Sequence, residues 1–242
     1  MNRLNDKKIK KIIKVEKAYQ LWYNKYLYKS TFVIPGIHIA RNHINEQEIN
    51  DHLDEIKDVD ATWKQIIFKN VLELFNANKE QILTFTKITE EERRNKKLFV
   101  RIQEPYVSIF SNTLETHKRL EKSLPDALYS ISHPDSRMSE FLMQNKNSII
   151  VDKLPHNRYR YKVIINNYSV KHSIPKQLLE WGDAQGDAVK FSSKTKRYFK
   201  SPVLYLDQGF LYIEDDSTLT MCNLFLAKCP YRIIKYVLDS EI

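Results

Sequence analysis

The sequence is poor in the residues that most catalytic and cofactor-binding motifs require. It has only 4 glycines, and it contains neither a GxxxxGK[ST] phosphate loop nor a GxSxG nucleophile motif. So few glycines cannot supply a dinucleotide-binding loop, in which the backbone must approach the phosphates closely. None of the 7 histidines forms an HxH or HExxH pair. No motif therefore fixes a reaction, and neither a cofactor nor a metal site is expected.

Cysteine and long apolar runs are also scarce. The 2 cysteines, Cys222 and Cys229, do not form a CxxC pair, which argues against a cysteine zinc site. A disulfide between them is one alternative, but a reduced cytoplasmic protein is the simpler interpretation. No apolar run approaches the roughly 20 residues of a membrane helix. The N-terminus is charged throughout and lacks the apolar segment of a secretory signal.

Positive charge is abundant and unevenly distributed. The net charge is +9, and residues 1–29 hold nine Lys and Arg against two acids, while residues 152–200 hold eleven against four. Residues 45–60, in contrast, hold seven acids and one lysine. Segregated positive charge suits a polyanionic partner, with nucleic acid as the first candidate and an acidic membrane surface as the second.

The pattern of apolar residues predicts an α+β protein with two tandem ferredoxin-like (βαββα-type) units and antiparallel sheets. The expected domains are a basic N-terminal helix (1–20), a first unit (21–124), a connector (125–152) and a second unit (153–242). This layout resembles that of CRISPR RNA-processing proteins of the RAMP type. Their glycine-rich C-terminal loop is missing here, so the resemblance implies no activity.

The same pattern predicts the individual elements. In the N-terminal half they are a helix (4–20), a strand (25–34), two helices (46–57 and 61–77), a strand (82–87), a hairpin (98–110) and a helix (113–124). The connector has a strand (127–131), a helix (136–144) and a strand (148–151). The C-terminal half has a strand (159–170), a helix starting near Ser173, a strand (188–192), a short basic element (194–200), a hairpin (210–227) and a closing helix (230–238).

Two similar hexads, NKYLYK (24–29) and NRYRYK (157–162), begin the first strand of each predicted unit. Side chains alternate across a strand, so Tyr159, Tyr161, Val163 and Ile165 are expected to face the helices. Arg158, Arg160 and Lys162 then lie on the other face. By the same alternation, Tyr26, Tyr28, Phe32 and Ile34 share one face, with Lys25 and Lys29 opposite. Cations on an open sheet face favour phosphate contacts. The alternative is a solvated face whose tyrosines reflect β-propensity.

A second candidate for nucleic-acid binding is KTKRYFK (194–200), where four cations accompany Tyr198 and Phe199. Aromatic rings beside cations suit single strands, although both rings packing into the core is an equal alternative. RRM-type sheets stack bases on outward-facing aromatics, but neither RNP signature is present. The predicted nucleic-acid-binding residues are Lys7, Lys8, Lys10, Lys11, Lys14, Lys25, Lys29, Arg158, Arg160, Lys162, Lys194, Lys196, Arg197, Tyr198 and Lys200.

The sequence thus favours a non-enzymatic nucleic-acid-binding protein, with single-stranded DNA or RNA preferred over a specific duplex. Its composition, rich in Lys, Ile, Tyr and Asn, suits an AT-rich genome such as that of a phage or virus, with the protein in the host cytoplasm or virion. The alternative is a structural or assembly protein whose N-terminal helix binds a partner protein or an acidic membrane. A third class is a metal-dependent phosphoryl-transfer enzyme that uses Asp215 and Asp216 at a hairpin turn.

Overall fold

The computed structural model describes residues 13–43, 45–57, 62–166, 173–200, 208–226 and 231–242 of the 242-residue chain. These residues form ten strands and seven α-helices, and the predicted α+β class is confirmed. Contacts within the chain divide it into two compact units. The first ends at Asp135 and the second begins at Ser136, except that residues 19–24 pack with the second unit.

The first unit is built on a five-stranded sheet. Its strands are β1 (Lys14–Lys17), β2 (Tyr28–Val33), β3 (Phe99–Gln103), β4 (Tyr106–Ser111) and β5 (Leu128–His133). They lie in the order β1-β5-β2-β4-β3. Strand β1 is parallel to β5, and the other neighbours are antiparallel. Helices α1 (Glu46–Lys57) and α2 (Thr62–Arg94) connect β2 to β3, and α3 (Glu115–Ser123) connects β4 to β5. Phe32, Phe85 and Leu120 belong to the core between sheet and helices.

The second unit is built on a sheet of the same size. Its strands are β6 (Ser148–Val151), β7 (Tyr161–Asn166), β8 (Val189–Phe191), β9 (Gln208–Ile213) and β10 (Tyr231–Leu238). Their order is β6-β10-β7-β9-β8. Helix α4 (Ser136–Gln144) precedes β6, α5 (Ser173–Ala184) connects β7 to β8, α6 (Ser193–Lys200) lies between β8 and β9, and α7 (Asp216–Leu226) connects β9 to β10. Leu178, Leu211 and Cys222 pack together in its core.

The two sheets repeat one arrangement. Four strands of each sheet lie in the order fourth, first, third and second, counted along the chain. These sets are β5-β2-β4-β3 in the first unit and β10-β7-β9-β8 in the second. An additional strand precedes each set and pairs in parallel with its last strand. The hexads occupy matching positions, because Lys29 lies opposite Phe110 and Lys162 lies opposite Tyr212. The recurrence of the hexad therefore has a structural counterpart in both units.

Several predicted elements are confirmed. The strand at the first hexad, the hairpin at 98–110 and the helix that follows it are present as β2, β3–β4 and α3. The helix starting at Ser173 and the strand at 188–192 are present as α5 and β8. The segment assigned to a connector, 125–152, contributes β5 to the first sheet and β6 to the second.

The strand predicted at 82–87 is wrong, because these residues lie in the long helix α2. Ile82, Phe85, Thr86 and Thr89 are all 0% exposed and follow helical spacing. Both threonine hydroxyls donate hydrogen bonds to carbonyls in the preceding turn, at 2.8 and 2.9 Å. The buried threonines thus belong to the buried face of the helix, with their hydroxyls hydrogen-bonded. In the sequence, their alternation with apolar residues resembles the pattern of a strand.

Two predictions near the C-terminus are also wrong. The hairpin predicted at 210–227 is a strand followed by a helix, β9 and α7. The buried residues Thr218, Cys222 and Leu226 recur every four positions, as on one helical face. The helix predicted at 230–238 is strand β10, which pairs with β7 on one side and β6 on the other. Its β-branched and aromatic residues suit a strand between two neighbours.

The basic helix predicted at 4–20 is wrong for residues 14–20, because residues 14–17 form strand β1 and pair with β5. Pairing with a distant strand here overrides the local helical pattern. Residues 1–12, with Lys7, Lys8, Lys10 and Lys11, lie outside the described residues.

Two leucines of α7 provide a test of the helical assignment. Leu226 is 0% exposed and Leu224 is 68% exposed. In the strand predicted from sequence, residues two apart would share a face. We expect Leu226→Ala to lower the free energy of unfolding by about 2–5 kcal/mol and Leu224→Ala to change it by less than about 0.5 kcal/mol. Urea unfolding of the full chain measures both, and equal losses would contradict the helix.

Candidate nucleic-acid interface

Strand β7 divides its side chains between the two faces of the second sheet. Tyr161, Val163 and Ile165 lie in the core cluster, which confirms the predicted alternation for these residues. The Tyr161 hydroxyl donates a 2.5 Å hydrogen bond to Asp216 Oδ1. Burial and this neighbouring carboxylate raise the pKa of Tyr161 to about 12, so the phenol stays neutral. Tyr161 is therefore a structural residue.

Tyr159 departs from the predicted face. It is 6% exposed, but its ring stacks on Tyr212, with centroids 5.7 Å apart, and Tyr212 lies on the face opposite the core. Since β7 begins at Tyr161, the alternation of the strand does not extend to residue 159. In the first unit, Tyr26 likewise precedes its strand and stacks on Phe99, with centroids 6.4 Å apart. The first tyrosine of each hexad thus joins an aromatic cluster rather than the core.

The two arginines of the second hexad are held by carboxylates. Arg158 Nε lies 2.8 Å from Glu214 and its guanidinium 3.4 Å from Asp187. Arg160 binds Glu241 through two hydrogen bonds of 3.0 and 2.6 Å. The paired guanidinium lowers the pKa of Glu241 to about 2, so this carboxylate is ionised at neutral pH. The Arg158 and Arg160 side chains are 42% and 37% exposed, so phosphate would compete with these acids for both arginines.

The face of the second sheet opposite the core cluster, here called the outer face, carries two cross-strand rows. One row contains Lys190, Tyr212 and Lys162 on β8, β9 and β7. The next contains Phe210 on β9, Ile164 on β7 and Arg232 on β10. Lys190 and Arg232 are exposed, and the other four are partly exposed. Ile234 of β10 continues the first row opposite Lys162 and is 8% exposed. Each row therefore combines an aromatic ring with at least one cation.

The rings of the outer face contact one another and the lysine between them. The centroids of Phe210 and Tyr212 are 5.4 Å apart, and Tyr236 of β10 lies 6.5 Å from Tyr212. Lys162 Nζ lies 4.1 Å from the Phe210 ring centre, at cation–π distance. His156 packs edge-on against Tyr212 at 5.6 Å. The result is a continuous aromatic surface with positive charge within it.

Sequence reasoning missed the aromatic part of this surface and two of its cations. Phe210, Tyr212, Tyr236, Lys190 and Arg232 were not predicted as site residues. The segment FLYI (210–213) contained a usable signal, since its aromatic residues alternate with aliphatic ones. In a strand this order places the aliphatic pair on one face and the aromatic pair on the other.

The predicted residues of α6 are divided between solvent and the core. Lys194, Arg197 and Lys200 are exposed, while Lys196 Nζ lies 2.8 Å from Asp183. Phe199 is 8% exposed within the core cluster, and Tyr198 packs against that cluster. The α6 rings thus follow the alternative prediction, in which both pack toward the core on the helix-covered side of the sheet.

The predicted cations of the first unit lie in mixed surroundings. Lys14 pairs with Glu16, and Lys29 is partly exposed on β2. Lys25 Nζ lies 4.9 Å from the Tyr26 ring centre and lines a surface cleft of about 530 Å³. Glu91, Glu92 and Glu115 line the same cleft together with Lys96, Lys97 and Arg119, so its charge is mixed.

Asp215 and Asp216 have structural roles at the start of α7. Asp215 accepts a 2.8 Å hydrogen bond from the Thr218 amide, the geometry of an N-cap. That bond lowers the pKa of Asp215. Asp216 accepts the Tyr161 hydroxyl. Among the described residues, no group of three or more His, Cys, Asp or Glu side chains is placed to hold a metal ion.

Comparison with protein-family models and with curated proteins gives no match for this chain. Within the part of the chain that the structure describes, no helix is both long and apolar enough to span a membrane.

The N-cap at Asp215 can be tested by mutation and by pH. We expect Asp215→Ala to cost about 1 kcal/mol of unfolding free energy, and Asp215→Asn to keep most of it because asparagine also caps helices. Because the folded-state pKa of Asp215 is lowered, its ionic contribution is present above its unfolded pKa of about 4. It is lost as the pH falls through the lower folded-state pKa. Asp152→Ala, at an exposed aspartate, is the control, and an equal loss there would contradict the cap.

Proposed function

We propose that this protein binds nucleic acid through the outer face of its second unit. The observation that carries the proposal is the combination of Lys162, Lys190 and Arg232 with aromatic rings on one sheet face. Cations supply the phosphate contacts that dominate nucleic-acid affinity, and the net charge of +9 favours association with a polyanion. The protein acts as a binding protein in this proposal, since Asp215 and Asp216 are engaged in helix capping and in the bond to Tyr161.

We also propose that both units are ferredoxin-like. Their strand order supports this assignment. In each sheet four strands lie in the order fourth, first, third and second, counted along the chain. The element order supports it too. The first unit has a strand, two helices, two strands, a helix and a strand, and the second unit follows this order with α5 in place of the two helices and α6 added between β8 and β9. Such a sheet packs its helices on one face and leaves the other for a ligand, as the core cluster of the second unit suggests.

The cationic part of the proposal predicts a change in salt dependence. Replacing Lys162, Lys190 and Arg232 together by glutamine removes up to three phosphate contacts. Because each contact contributes about 0.7–0.9 to the slope of log affinity against log salt concentration, the slope should fall by about 2. Stability should change little, since exposed charges contribute little to folding. Fluorescence anisotropy with a labelled oligonucleotide at several salt concentrations measures the slope.

A matched variant with Lys87, Lys118 and Lys122 replaced by glutamine removes the same charge from exposed positions of the first unit. It should leave most of the slope intact. If both variants lower the slope equally, affinity depends on net charge alone and the outer face is not the site. If the wild-type protein binds no nucleic acid at low salt, the proposed function is wrong.

Glu241 competes with phosphate for Arg160 if the outer face binds nucleic acid. Glu241→Gln removes the charge that holds the arginine. We therefore expect tighter binding at low salt and a slope steeper by up to about 0.7–0.9, the contribution of one phosphate contact. Glu140→Gln, at an exposed position of α4, makes the same change in net charge. Equal effects of the two variants would show that Arg160 gains no contact.

A further inference from the structure

We infer that the outer face holds unpaired bases stacked on Phe210 and Tyr212, so that the ligand class is single-stranded nucleic acid. This inference rests on the proposed function and specifies its ligand. Both rings project from one strand on the face opposite the core, with centroids 5.4 Å apart. Neither is needed to fill the core, which Leu211 and Ile213 occupy from the same strand.

The chemistry of the outer face suits a nucleotide better than an aliphatic or purely ionic partner. Base and ring are both flat π-systems, and stacking one on the other tolerates any sequence because every base has a π-face. Ile164 lies beside Phe210 in its cross-strand row and adds apolar surface. Lys190 and Arg232 stand at the ends of the two rows, where phosphates on either side of a stacked base can be bound.

Lys162 links the aromatic and ionic parts of the site. Its ammonium lies 4.1 Å from the centre of Phe210 and 6.0 Å from that of Tyr212. A cation over a ring is held where it can also contact a phosphate of a strand crossing the face. Lys162 lies over one face of Phe210, and Tyr159 stacks on one face of Tyr212, so bases would stack on the remaining face of each ring.

Duplex nucleic acid does not fit this arrangement. In a duplex each base is covered above and below by its neighbours. A ring on the sheet therefore cannot contact the π-face of a base unless that base is first unstacked. Single strands offer that face at little cost. The outer-face rings should therefore contribute to single-strand affinity and contribute nothing to duplex affinity, whereas the cations contribute to both.

The same reasoning places the stacking site on β9 rather than on α6. Phe199 is 8% exposed, and Tyr198 packs against the core from the helix-covered side. Phe210 and Tyr212 lie on the opposite face of the same sheet. The aromatic residues next to the cations of α6 therefore serve packing, and Tyr198 provides a matched control for the outer-face rings.

The test uses the full chain with a fluorescein-labelled oligothymidine of about 16 nucleotides and a labelled duplex of equal length. Phe210→Leu and Tyr212→Leu should each weaken single-strand binding about 5- to 150-fold, the range for loss of one stacked base. Duplex binding and the salt slope should stay at wild-type values. Tyr198→Leu should leave both affinities unchanged. An oligouridine of the same length determines whether RNA binds as well as DNA.

Ring-retaining variants keep the test decisive if a leucine variant is unstable. Phe210→Tyr and Tyr212→Phe preserve a π-face and should bind the single strand within about 3-fold of wild type, less than the loss of one stacked base. The inference is overturned if the ring-retaining and leucine variants lose equal affinity. It is also overturned if Tyr198→Leu alone weakens binding, which would place stacking on α6.

Two further outcomes separate this inference from the proposed function. If the leucine variants bind both probes as tightly as wild type while the Lys162, Lys190 and Arg232 variant loses affinity, the stacking site is wrong and nucleic-acid binding stands. If wild type binds neither probe, both fail. Size-exclusion chromatography tests whether a second copy of the chain binds the outer face instead. If the wild type is a dimer and the leucine variants are monomers, the outer face is a dimer interface and the inference is wrong.

Discussion

The register between strands β7 and β9 determines which side chains of the second unit meet on each face of the sheet. Val163 lies opposite Leu211, and Lys162 lies opposite Tyr212. A shift of β9 by one residue would turn Leu211 and Ile213 outward and the rings of Phe210 and Tyr212 inward. Burying Tyr161, Val163 and Leu211 against the helices therefore fixes the outer face as well. The stability of the core and the composition of the candidate site are consequences of one pairing.

The same register recurs in the first unit with a different result. Lys29 lies opposite Phe110, as Lys162 lies opposite Tyr212. Here, however, Ser108 occupies the position equivalent to Phe210, and its hydroxyl lies 2.9 Å from that of Thr31. Phe110 is 3% exposed and contacts Phe99. The repeat thus preserves the lysine and one ring at these positions but not the Phe210–Tyr212 pair. Two exposed rings of the first unit, Tyr106 and Tyr129, lie elsewhere, with centroids 5.5 Å apart.

Local periodicity predicted much of the fold where one pattern dominated. The strands that begin within the two hexads, the hairpin at 98–110 and helix α3 each follow a clear pattern and are present in the structure. The first tyrosine of each hexad precedes its strand and leaves the predicted face. Segments whose fold depends on distant partners were mispredicted. Strand β10 has the length and apolar content of a short helix, and its pairing with β6 and β7 decides its structure. Helix α7 begins at the Asp215 cap. Because aspartate is also common in tight turns, the same residue was compatible with the predicted hairpin.

The candidate site likewise combines features that the local pattern predicted with features that depend on distant partners. Alternation predicted that Lys162 would lie away from the core, but it could not show that Arg158 and Arg160 are paired with Glu214 and Glu241. Those carboxylates come from the ends of other strands, so their proximity depends on the folded sheet. Alternation in FLYI (210–213) could group the rings of Phe210 and Tyr212 on one face, but only the pairing of β9 with β7 places them beside Lys162.

Pairing the hexad arginines with acids has a consequence for the type of affinity that the outer face can supply. With Arg158 and Arg160 held by carboxylates, the salt-dependent part of the affinity comes from the contacts of Lys162, Lys190 and Arg232. Stacking of bases on rings adds affinity that does not arise from counterion release. A face that combines cations with two adjacent rings should therefore keep more of its single-strand affinity as salt rises than a purely cationic surface would. That balance favours a ligand whose bases are accessible over one that presents only phosphates.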